Sequence, residues 1–199
     1  MSETDNSDDC VCLDFANTWG DRSDPGSDTL TSYRDLLHWA RRAEIVSEGE
    51  FRTLERLARR DEVKSSGVFQ MALDLRDTIF GLFSAAAAGQ TPSERVVADL
   101  NAALDTVPRQ RLCCSGDCCE WEWPADTPDL RQVLWPVVRA AAELATSSEV
   151  SRIRECAAPD CNWLFLDSSR GGRRRWCDMA TCGNRAKARR YYDRHRRNK

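Results

Sequence analysis

Residues 156–182, CAAPDCNWLFLDSSRGGRRRWCDMATC, decide the fold of the carboxy-terminal quarter of the chain. The cysteines fall at 156, 161, 177 and 182, in two pairs with four residues inside each pair and 15 between the pairs. Two close pairs brought together by a fold are what a tetrahedral thiolate zinc site requires. Between the pairs, WLFLDSSRGGRRRW reads as strand, Gly-Gly turn, strand. After them, GNRAKARRYYDRHRR is free of proline and rich in helix formers. Knuckle, hairpin and helix predict a treble-clef-like finger held by Cys156, Cys161, Cys177 and Cys182, with Cys182 at or near the helix N-terminus. The competing reading is four reduced cysteines in a small core. Against it, the segment 152–199 offers few apolar residues (Ile153, Trp163, Leu164, Phe165, Leu166 and Trp176), and so small a unit needs a staple. One structural zinc ion with all four positions filled leaves no place for an activated water.

Charge divides the chain at the same place. From Arg152 to Lys199 there are 14 Lys/Arg against 5 Asp/Glu, a net of +9, whereas the rest carries 15 against 27, a net of −12. The division predicts an acidic domain, 1–151, followed by a basic module, 152–199, that binds a polyanion. On the last helix Lys187, Arg190, Arg194 and Arg197 form one stripe, and Arg185, Arg189 and Arg196 a second. Arg173, Arg174 and Arg175 are expected on the strand before Cys177. Arginine outnumbers lysine 12 to 2 here and can hold phosphate or a guanine edge. Asn184 and Arg185 fall in the first helical turn, where side chains reach bases or serve the finger locally. Tyr191 and Tyr192 are expected to pack the helix on the hairpin, and His195 to be solvated. A rigid helix suits the major groove of duplex DNA better than RNA.

The preceding 151 residues read as mostly α with one small β-hairpin, an α+β domain. Thr31 is the expected cap of a first long helix carrying Leu36, Leu37, Ala40 and Ala43 on one face. Ser47 and Glu50 form a capping box. A long helix from about Lys64 to Ala88 presents Phe69, Leu73, Ile79, Phe80 and Phe83. Another is expected to open with Thr91 as cap, Pro92 and Glu94. RQRLCCSGDCCEWEW has a hairpin signature around Ser115-Gly116-Asp117. A last helix starts at Thr127-Pro128, to be kinked or restarted at Pro136.

Two features of this body raise functional questions. Arg76 interrupts the apolar arc of the long helix, and a buried guanidinium requires a partner. Asp14 is the expected one; alternatively Asp14, Asn17, Trp39 and Arg76 line a pocket for a small effector. In a hairpin with a three-residue loop, Cys114 faces Cys118 and Cys113 faces Cys119, close enough for disulfide exchange or metal capture.

CDMATCGNRAKARR, with the upstream cysteine pair and WLFLD, resembles the CGNR zinc-finger family, named for the tetrapeptide at Cys182–Arg185. CLDFANTWGDR followed by LTSYRDLLHWA is similar to the ABATE domain that accompanies that finger. The resemblance implies a stress-linked transcription regulator whose finger reads DNA; duplex DNA is the expected partner, the body is expected to sense an effector, form a homodimer, or both, and no enzymatic activity is expected. Other readings are an adaptor whose finger binds protein or RNA, and a thiol or metal sensor built on Cys113–Cys119. No Ser-His-Asp set or Gly-rich phosphate loop is present. The polar start and the lack of a long apolar run predict a cytoplasmic chain without a membrane span, nucleoid-associated if bacterial.

Overall fold

The computed structural model describes residues 10–116, 118–124 and 128–197. Seven α-helices and two strand pairs are formed among them: α1 (Val11–Ala16), α2 (Tyr33–Arg42), α3 (Glu48–Arg60), α4 (Glu62–Ala87), α5 (Glu94–Leu104), β1 (Arg111–Ser115), β2 (Cys118–Glu122), α6 (Trp135–Thr146), β3 (Ile153–Glu155), β4 (Leu164–Leu166) and α7 (Asn184–Arg197). None of these helices is long and apolar enough to cross a membrane.

Local chemistry sets most helix starts. Ser47 and Glu50 close the expected capping box at α3. The cap of α2 is Ser32 rather than Thr31, whose hydroxyl instead reaches Asp35, and the cap of α5 is Ser93 rather than Thr91. In both cases the serine lies where its oxygen meets the third amide of the helix. Thr127 lies outside the described residues. Pro136 restarts the chain: a 3-10 turn at Leu130–Val133 precedes α6, and the proline occupies its first turn, where no amide is needed.

The 26-residue α4 is the axis of the body and packs against α1, α2, α3, α5, α6 and β3. Its buried face runs through Val68, Ala72, Leu75, Arg76, Ile79 and Phe83. The expected arc is rotated: Phe69, Leu73 and Phe80 sit at its half-buried flanks. Ala72, Ile79 and Phe83 are the most deeply buried residues of that face.

The two strand pairs behave differently. β1 and β2 form an exposed hairpin with a two-residue loop, so Cys114 opposes Cys119 and Ser115 opposes Cys118. This register is one residue away from the expected one. Gly116, at φ +60°, supplies the left-handed conformation that a short hairpin turn needs. β3 and β4 pair with Ile153 opposite Leu166 and Glu155 opposite Leu164. β4 is the expected WLFL strand between the two cysteine pairs, but its partner is β3, upstream of Cys156, and not a second strand after the Gly-Gly turn. Arg173–Arg175 are therefore not strand residues. The Asp167 carboxylate gathers the intervening loop, accepting from the amides of Ser169 and Arg174.

The change of charge near Ser151 is not a break in packing. Ile153 and Leu164 are 0% and 1% exposed and belong to the same apolar core as α1, α4 and α6. Asn17, at the end of α1, stitches the finger's hairpin to the body: its Nδ2 donates to Leu164 O and its Oδ1 accepts from Leu164 N, both at 2.8 Å. Replacing it strands two backbone groups. Asn17→Ala is expected to cost ~1–3 kcal/mol in chemical denaturation and to speed exchange of the Leu164 amide.

Candidate metal centre and basic helix

Each cysteine pair is presented by a different device. Cys156 and Cys161 stand at the mouth of the β3–β4 hairpin, where Cys156 N donates to Trp163 O at 2.9 Å. Cys177 follows a segment hooked to the first pair by the Ala157 amide, which donates to Arg175 O. Asp178 then caps a π-helical turn, Met179–Gly183, that carries Cys182 into α7. The four Sγ atoms lie within 4.8 Å of one another. Two separations, Cys161–Cys177 and Cys177–Cys182, are 3.7 and 3.6 Å. A tetrahedron with Zn–S bonds of about 2.3 Å has edges of about 3.8 Å, so these spacings suit zinc.

The chemistry of the donors agrees. The Cys161 thiol is lowered to about 6, chiefly by the hydrogen bond from Cys177, while Cys177 is pushed far up, chiefly by Cys161. The Cys161 thiolate forms readily and opposes ionisation of Cys177, an opposition that a bound cation would offset. The four cysteines are thus positioned to bind one zinc ion, as their spacing predicts.

The tetrapeptide Cys182–Arg185 works as a unit around that centre. A Cβ at Gly183 would lie 2.5 Å from Met179 Sδ and 3.3 Å from the Trp176 ring, so any larger residue there must displace the half-exposed Met179 side chain. Asn184 Nδ2 donates to Ala180 O at 3.0 Å, closing the π-turn. Arg185 donates to Cys182 Sγ at 3.1 Å and to Asp160 at 3.0 Å. Its guanidinium both orients the ligand and offsets thiolate charge. Arg189 donates to the same Asp160 oxygen. Sequence reasoning did not single out Asp160. Its place in a Pro-Asp-Cys knuckle opposite a basic helix is the signal that could have found it.

The other basic residues divide by environment. Arg174 donates through Nε to Trp176 O at 3.0 Å and lies 4.7 Å from the Phe165 ring centre, so it braces the finger. Arg173 and Arg175 are exposed. From Lys187 onward, every α7 residue whose side chain is described is exposed, including Arg190, Tyr191, Tyr192, His195 and Arg196. The side chains of Arg194 and Arg197 lie outside the described residues. Tyr191 and Tyr192 are 59% and 68% exposed and do not pack on the hairpin. Tyr191 stacks instead on His195, with ring centres 4.0 Å apart.

The set expected to form an effector pocket is dispersed. Arg76, 2% exposed, forms a two-pronged ion pair with Asp28 at 2.7 and 2.6 Å and also donates to Thr18 Oγ1. Asp14, the expected partner, is exposed on the far side of α1 from the buried Leu13 and Phe15. Asn17 serves Leu164, and Trp39 packs on Phe15 with ring centres 4.9 Å apart. The loop bearing Asp28 also reaches the finger: Gly20 O accepts from the Asn162 amide, and Arg22 N donates to Asn162 Oδ1. The Arg22 guanidinium lies 3.8 Å from the Phe80 ring centre and pairs with Asp77. Burial lowers its pKa.

Two family models match the chain. Residues 152–195 match the CGNR zinc finger. Residues 9–148 match ABATE, described as "Putative stress-induced transcription regulator". No curated protein matches the chain. With the ABATE match spanning most of its length and the CGNR match completing it, the chain belongs to the ABATE family and ends in a CGNR zinc finger.

Proposed function

We propose that this protein is a transcription regulator that holds duplex DNA along the exposed length of α7, with Arg173 and Arg175 flanking it on the same finger. The observation that carries this reading is α7 itself. A 14-residue helix with exposed arginines and tyrosines gains almost nothing from its own protein beyond Arg189. Phosphates supply the missing partners. Arg185 and Arg189, engaged with Asp160, fix the orientation of the helix, and Lys187, Arg190 and Arg196 are left to meet the backbone of DNA. Tyr191 and Tyr192 add stacking or phosphate hydrogen bonds. The acidic body supplies regulation, through dimerisation or a small effector. A groove of about 650 Å³ between α4 and α5, lined by Met71, Leu75, Arg95 and Val96, is a better place for that effector than the residues around Arg76.

The test is binding of the zinc-loaded protein to a randomised duplex pool, followed by fluorescence anisotropy across salt concentrations, with the bound fraction sequenced. Neutralising six to eight phosphates gives a slope of log affinity against log salt of roughly −5 to −7. Lys187→Ala and Arg190→Ala are each expected to weaken binding to all sequences and to flatten that slope by about 1. An unchanged slope in the double variant would remove α7 from the interface. Tighter binding to single-stranded RNA than to duplex would favour the adaptor reading.

A further inference from the structure

The β1–β2 hairpin carries four cysteines that the finger does not use. Cys114 and Cys119 face each other and are joined as a disulfide, while Cys113 and Cys118 are thiols opposite Glu120 and Ser115. Strand alternation puts Cys113 and Cys118 on the face opposite the disulfide. In this register only one disulfide can form, because neither remaining thiol has a cysteine across from it. Leu112 and Trp121 share the disulfide face and are 58% and 62% exposed. Trp121 borders a groove with Leu104, Val107, Arg139 and Ala142.

Burial does little to fix this register. Nearly every hairpin residue is exposed, on both faces, so a one-residue slip sacrifices little packing. The base of β1 is held by Arg139, which donates to Gln110 Oε1. If β2 slips by one residue against it, the loop grows to three residues. Cys118 then stands opposite Cys114, Cys119 stands opposite Cys113, and Trp121 turns to the other face.

We propose that this hairpin is a reversible thiol–disulfide modification site, oxidised by hydroperoxides or small disulfides, whose second oxidation is coupled to a one-residue slip of β2. The first step joins the thiols of Cys114 and Cys119. A hydroperoxide accepts their two electrons and two protons and leaves as an alcohol and water. When the tip opens, the Cys118 thiolate attacks Cys114 Sγ. The old S–S bond breaks, and Cys119 departs as a thiolate that takes up the proton Cys118 gave up. Nothing is oxidised in that exchange. Cys113 and Cys119 are then opposed thiols, and a second equivalent of hydroperoxide joins them with the same balance. Small thiols reverse both steps. Cys118 is the exposed thiol beside the bond, and the Cys113 thiol is pushed up, first by its hydrogen bond to Glu122, which makes it the poorer attacker. Exposed disulfides are the class open to such exchange.

The test uses zinc-loaded full-length protein titrated with tert-butyl hydroperoxide and, separately, with glutathione disulfide. Alkylated thiols are counted by intact mass and released zinc by a coloured chelator. From the reduced protein, the expected sequence is loss of two hairpin thiols and then of four, before zinc is released and with full reversal by dithiothreitol. Three double variants isolate the pairings: C113S/C118S, C113S/C119S and C114S/C118S leave, respectively, Cys114 with Cys119, Cys114 with Cys118, and Cys113 with Cys119. Each should close on oxidation. The second step should shift tryptophan emission in the wild type but not in Trp121→Phe. Closure of Cys114 with Cys119 alone would overturn the slip. Zinc release ahead of hairpin oxidation, or irreversible loss of thiols, would overturn the modification site.

Discussion

Stripping zinc with a chelator, or replacing Cys161 with serine, should melt the distal half of the finger and weaken the DNA binding proposed above while the body stays folded. Thiolate zinc sites contribute about 10–16 kcal/mol to the folding of fingers that lack a core. Here the residues that depend on the ion are those with no other support: the loop 167–176, the π-turn and α7, which packs chiefly on that turn. β3 and β4 do not depend on it, because Ile153 and Leu164 are buried in the main core. Hydrogen exchange should therefore show α7 losing protection on metal removal while Ile153 and Leu164 keep theirs. Affinity for duplex DNA should fall by about 10³-fold or more, to the level of nonspecific binding. Global unfolding on chelation would mean that the body, too, relies on the metal. Zinc affinity should also climb with pH, since the ion must displace thiol protons. Cys161 yields its proton first, near pH 6, and Cys177 resists.

The second large effect concerns Arg76. Asp28→Asn leaves a guanidinium that is 2% exposed without its counter-charge, and should cost about 3–5 kcal/mol in urea denaturation. Arg76→Met removes the buried charge itself and leaves Asp28, 20% exposed, able to take up water, so it should cost less. The double variant should be more stable than Asp28→Asn alone. An equal loss from both single variants, adding in the double, would show that the pair does not interact. The pH dependence has a definite sign. Desolvation is the largest influence on Asp28 and raises its pKa, but the hydrogen bonds and charge of Arg76, with the Leu30 amide, bring the net value below the usual carboxylate range. A depressed folded pKa means stability that is fully present above the unfolded value of about 3.9 and lost as pH falls through the folded one. The acid limb of the stability profile should weaken in Asp28→Asn.

What the sequence reveals follows from how local each signal is. The metal ligands are legible because the spacing of cysteines is itself the chemistry. The Ser47–Glu50 box and the span of α4 are legible because caps and periodicity act within a few residues. The partner of Arg76 is not, because the choice between Asp14 and Asp28 is made by the chain returning on itself at the Trp19–Asp28 bridge, whose closure no local pattern announces. The hairpin register is not legible, because its two faces are equally wet and alternation cannot choose between them. β3 is not legible, because IRE is three residues long and its partner lies beyond a cysteine knuckle. The sequence of Tyr191 and Tyr192 suggests packing, but on α7 both rings are exposed.

The shared core also bears on how such proteins arise. A cut between two modules that share no core leaves both intact. Here a recombination joint at residue 152 would hand its recipient a hairpin with naked Ile153 and Leu164, and leave the donor body with the matching hollow and an unanswered Asn17. Either half alone would expose apolar surface and backbone groups that the other now covers, so a cut at 152 is costly on both sides.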